Sequence, residues 1–118
     1  MKRAWLIAIL VSCGGAQTVT TIQNPQDYER VVVEVIDRVI EIFREGGINC
    51  QMVSGDLRTL NGSQKVDAAK RWRKEHPEAS DTLKAQITAR KAELDKAMAP
   101  TARQCEGPIG GLVAELTH

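Results

Sequence analysis

The chain has 118 residues with 16 basic and 15 acidic side chains, for a net charge of +1. That length holds one core and not two, so a single domain is expected. The near balance of charge excludes a role resting on general attraction to nucleic acid or to an anionic membrane surface.

The first residues have their own pattern. Lys2 and Arg3 are basic, Ala4 to Val11 form an uncharged apolar run, and Ser12, Cys13, Gly14, Gly15 and Ala16 are small. Basic, apolar, then small is the order of a secretory signal peptide. The apolar run is far short of the about 20 residues that cross a bilayer as a helix. Leu10-Val11-Ser12-Cys13 resembles the bacterial lipobox: an aliphatic residue, a tolerated residue and a small residue before the invariant Cys. The resemblance covers the first 13–15 residues. It implies diacylglyceration of the Cys13 thiol, cleavage before it, and loss of residues 1–12. Gly14, by the sorting pattern of such lipoproteins, points to the outer membrane with the protein facing the periplasm. A rival reading is ordinary signal-peptidase cleavage after Ala16, which discards Cys13 and releases a soluble protein.

Cysteine arithmetic follows from the choice. The cysteines are Cys13, Cys50 and Cys105. With lipid on Cys13, Cys50 and Cys105 remain as one pair in an oxidising compartment, where a disulfide is expected. The alternative is two unpaired buried cysteines. Loss of Lys2 and Arg3 from the 16 basic residues leaves 14 against 15 acidic, a mature net charge near −1.

Residues 13–24 read as the lipidated Cys and an uncharged flexible tether. Fully stretched, residues 14–24 reach about 36–40 Å, enough to stand off a membrane surface but not to cross a periplasm. Residues 25–118 are the single folded domain. Asn24 and Pro25 mark a helix start, and Asp27 and Glu29 suit its first turn. Tyr28, Val32, Val35, Ile36, Val39 and Phe43 recur at helical spacing and Gly46-Gly47 ends the helix. Val53, Leu57 and Leu60 form a short helical face broken at Asn61-Gly62-Ser63. Ser63 caps a stretch from Gln64 to Glu75 with Val66, Ala69 and Trp72 on one side. Residues 78–98 read as one further helix with Leu83, Ile87, Leu94 and Met98 inward, and Pro100 kinks or restarts the chain. Gly107 to Gly111 reads as a loop, and Leu112 to Leu116 as a last short turn. The expectation is an all-α bundle of three or four helices. A Cys50–Cys105 clamp ties the same end of the first and last long helices if the number of reversals between them is even.

Chemistry is harder to find. Lys70, Arg71, Trp72, Arg73 and Lys74 are a candidate interaction surface for lipid headgroups or an anionic envelope polymer, but on a helix they point in all directions. The plainer reading is a half-buried Trp72 among solvated charges. Asp37, Glu41 and Glu45 share a helix face, with Arg38 and Arg44 near enough to pair with them. His76 and His118 are the only histidines, and no zinc, haem, phosphate-loop or nucleophile-elbow motif occurs. No metal, cofactor, nucleic acid or catalytic residue is expected. The leading expectation is a membrane-tethered, non-enzymatic helical module that binds or supports another envelope component. The alternative is a carrier with an apolar pocket between helices, lined by Val32, Val39, Phe43, Leu83 and Ile87. An open apolar cavity favours the carrier, and a closed interior the module.

Overall fold

A computed structural model describes residues 21–105 and 109–117. Cys13, the signal-like segment and most of the tether lie outside the described residues. Among the described residues the fold is all-α, with six helices: α1 Pro25–Gly46, α2 Cys50–Asn61, α3 Gln64–Glu75, α4 Ala79–Ala89, α5 Lys91–Gln104 and α6 Ile109–Leu116. No helix among them is long and apolar enough to cross a membrane.

The helices assemble as three legs and a strap. Helix α1 is the first leg. Its start is capped by the Asn24 side chain, which accepts from the Asp27 amide at 2.8 Å. Its end is Gly47, at φ 52° and ψ −118°, a positive-φ conformation that glycine adopts without a Cβ clash. Helices α2 and α3 retrace α1 as the second leg: Lys65 meets Glu34 at 2.9 Å, and further on Arg73 meets Tyr28 at 3.0 Å. Helices α4 and α5 run parallel to α1 as the third leg, with Gln86 on Glu29, Arg90 on Asp37 and Thr101 on the Gly47 carbonyl. Each leg is about 33–38 Å long at about 1.5 Å rise per residue. Helix α6 folds back along α2, where the Asn61 amide donates to the Leu112 carbonyl at 3.0 Å.

The count exceeds three or four because two legs are broken. Asn61-Gly62-Ser63 breaks the second, as its turn residues indicate, and the Ser63 hydroxyl caps α3 by accepting from the Val66 amide. The third breaks at Arg90, within a segment expected to be one helix over 78–98. Arg90 leaves helical geometry at φ −110°, ψ 13°. Its side chain donates to Asp37 on α1 at 3.0 Å and to Gln86 at 3.1 Å. No glycine or proline stands there, so a long-range contact, and not local propensity, accompanies the break. Pro100 lies inside α5 without ending it. Helix α6 begins at Ile109 and takes in Gly110 and Gly111, which were expected in a loop.

Helix α1 is buried on more than one stripe because both other legs flank it. Val31, Ile40 and Ile42 join Tyr28, Val32, Ile36, Val39 and Phe43 in the core. Val53, Leu57 and Leu60 are buried as their spacing predicts. At the α1–α2 corner the helices approach closely enough that a Cβ on Gly46 would collide with the Val53 side chain. Cys50 and Cys105 form a disulfide with Cα atoms 5.7 Å apart. Two reversals lie between the end of α1 and the end of α5, so the bridge joins the same end of the first and third legs.

Candidate functional site

The bundle does not close on itself. Between α6 and the third leg lies an open, mainly apolar cavity of about 520 Å³. Its floor is α1, through Val32, Val35, Ile36 and Val39. These repeat at three- and four-residue steps, so one continuous apolar stripe faces the opening. One wall is the third leg, with Leu83 and Ile87 from α4 and Leu94 and Met98 from α5. The opposite wall is α6, through Gly110, Val113, Ala114 and Leu116, and α3 adds Val66 and Ala69. The cavity size falls within the range of small-molecule sites, about 300–1,000 Å³.

Four of the five residues expected to line a pocket do so: Val32, Val39, Leu83 and Ile87. Phe43 does not. It is 1% exposed and packed in the core, away from the opening. The α6 wall was missed, because Gly107 to Gly111 reads as loop and hides the start of a helix.

The polar groups of the cleft are few. Lys91 and Asp95 pair with each other at 2.9 Å on the α5 rim, and both are well exposed. Thr117 adds a hydroxyl-bearing side chain. Arg73 is the third charged residue, and it is only 8% exposed. Its Nη1 donates to the Tyr28 hydroxyl at 3.0 Å and its Nη2 to the Leu116 carbonyl at 3.3 Å. Its buried Nε has no hydrogen-bond partner.

The basic cluster is thus not one surface. Arg73 turns inward, against the expectation that the charges around Trp72 are solvated. Arg71 is exposed and paired with Asp67 at 3.1 Å. Lys74 is exposed and Lys70 half-buried. Trp72 is half-buried and stacked on His76, with ring centroids 3.8 Å apart. The spacing contains the reason. Val66 and Ala69 begin a buried stripe, and Arg73, not Trp72, stands at its next position, seven residues after Val66.

The carboxylate row on α1 is taken up by ion pairs. Asp37 holds Arg90, and Glu41 and Glu45 lie 2.8 and 3.7 Å from Arg38. Arg44 pairs across to Glu93 instead. A larger hollow of about 860 Å³ lies among these residues, but its lining is far more polar, with five carboxylates and three basic side chains, all of them in ion pairs. No grouping of three or more His, Cys, Asp or Glu side chains suited to a metal ion occurs among the described residues.

Comparison of the chain with protein-family models, curated proteins and solved structures finds no match.

Proposed function

We propose that this chain is a lipid-anchored binding protein of the bacterial envelope that holds small apolar molecules in the cleft between α1, the third leg and α6. The observation that carries the reading is the open apolar cavity of about 520 Å³. It turns the expectation from a module docking on other envelope components toward the carrier. An open cleft of this size leaves an apolar lining facing water unless a ligand covers it, so an apolar molecule gains by burial there. The lining offers apolar contact and a few charged groups, a set suited to holding a molecule, so the proposed action is binding and not catalysis.

Anchorage supports the same picture. Leu10-Val11-Ser12-Cys13 is the lipobox-like stretch, and the Cys50–Cys105 bridge takes two of the three cysteines, leaving Cys13 for lipid. The proposed address is the outer membrane, with the domain on a short tether facing the periplasm.

Two measurements test this. Titrating the full chain, bridge formed, into a neutral solvatochromic dye is expected to give saturable blue-shifted emission; no saturable signal removes the carrier reading. Mass spectrometry of the exported protein is expected to find acyl chains on Cys13, and a free N-terminus at Gln17 removes the anchor.

A further inference from the structure

We infer that the cleft selects single-chain fatty-acid carboxylates, with Arg73 receiving the head and the α1 stripe receiving the tail. The inference rests on the carrier reading and adds the ligand's charge and orientation to it. Its basis is the state of Arg73. Five other arginines, Arg30, Arg38, Arg44, Arg71 and Arg90, pair with carboxylates. Arg58 and Arg103 are exposed to water. Arg73 alone among the described arginines is buried, and no described carboxylate lies within ion-pair reach of it. A buried guanidinium is costly unless it is paired and its donors are used. Tyr28 and Leu116 are both neutral acceptors. They fix the orientation of the group without supplying the missing charge.

The bonds to Tyr28 and Leu116 use two of the five guanidinium N–H groups, and the Nε–H is among those left without a partner. A guanidinium with N–H groups left over can take the two oxygens of a carboxylate. Arg73 lines the cleft. It is held beside Tyr28, one turn ahead of Val32, which places the cation at one end of the apolar floor. From there the floor runs along Ile36 to Val39, beside Leu83, Ile87 and Met98, with no charge on it. At the α5 rim Lys91 is already neutralised by Asp95 at 2.9 Å, so among the described residues the cleft's one cation without a carboxylate partner is Arg73, at the other end. One buried cation at the end of an apolar floor fits a linear anion with one charged end.

The test uses matched ligands against the full chain with its bridge formed. Dodecanoate, dodecanol and dodecylammonium, each below its micelle concentration, compete with the neutral dye. Dodecanoate is expected to bind about tenfold to a hundredfold more tightly than dodecanol, the range of a charged hydrogen-bonded pair. Dodecylammonium is expected to bind most weakly. Arg73→Gln is expected to bring dodecanoate down to the affinity of dodecanol. Equal affinity of acid and alcohol, with the dye bound, overturns the role of Arg73 and leaves the carrier reading standing; absence of dye binding overturns both. A lysophospholipid that outcompetes every free carboxylate overturns the fatty-acid assignment. The ligand comparison requires no variant, so it decides the matter even if Arg73→Gln fails to fold.

Discussion

Cys50 and Cys105 are 55 residues apart in sequence and 5.7 Å apart at Cα. The bridge closes a loop containing the second and third legs, and α1, which precedes Cys50, packs against both legs of that loop from outside it. Beside it, the Thr101 hydroxyl donates to the Gly47 carbonyl at 2.5 Å, so the same end is held noncovalently as well. Replacing both cysteines by serine is expected to lower the unfolding free energy by about 4 kcal/mol, the chain-entropy value for a loop of this length. Urea unfolding of the two forms checks this, with the slope rising as the unfolded chain expands. A difference within the extrapolation error would show that the clamp does not limit the unfolded state.

Gly46 tests the α1–α2 corner. A methyl group there collides with the Val53 side chain, and Val53 is fully buried, so neither can move freely. Gly46→Ala is expected to destabilise the fold by about 1–3 kcal/mol, the usual cost of overpacking. Val53→Ala alone leaves a cavity and is also expected to destabilise. The double variant is expected to be more stable than the sum of the two losses, because the small residue makes room for the added methyl. A chemical-denaturation double-mutant cycle with additive losses would show that the two residues do not meet.

The sequence patterns behind these positions differ in kind. Asn24, Gly47, Gly62 and Ser63 act through their own backbone or residues a few positions away, so local chemistry marks the ends of α1, α2 and the start of α3. Arg90 breaks the third leg within an alanine- and lysine-rich segment of good helix formers, and its partner Asp37 is 53 residues away. No local pattern encodes that. The cleft was half legible, since Val32, Val39, Leu83 and Ile87 follow from helical spacing. Its α6 wall was not, because Gly110 and Gly111 carry turn propensity that packing against α2 overrides. Arg73 is hidden for a third reason: a charged residue reads as solvated, and the tyrosine that receives it lies 45 residues away.

Helix α6 is expected to be the first element to open. It has eight residues, two of them glycine, and rests on Ile109, Leu116 and two side-chain bonds, from Asn61 to Leu112 and from Arg73 to Leu116. Short glycine-containing helices have little intrinsic stability, so these anchors decide whether it stays docked. Native-state hydrogen exchange is expected to show the weakest protection in α6 and the strongest in α1. Asn61→Ala is expected to speed exchange in α6 further and leave α1 unchanged. Equal protection in the two helices would show that α6 opens only with the whole fold.

The cleft itself can be filled from the α6 side. Val113 is half-buried and faces the opening, so a larger side chain there enters the space proposed for ligand without disturbing the α1 core. Val113→Trp is expected to reduce neutral-dye affinity about tenfold or more, the loss of about 1.4 kcal/mol or more of contact. Stability is expected to change by less than the about 1–3 kcal/mol of a true overpacking substitution, because the indole occupies space that is open in the native fold. Ala85→Trp, at an exposed position on α4 that does not line the cleft, is the matched control and is expected to leave dye binding unchanged. If Val113→Trp binds dye as the unmodified chain does while Ala85→Trp does not, the apolar site lies on the outer face of α4 and the cleft is not where ligand is held.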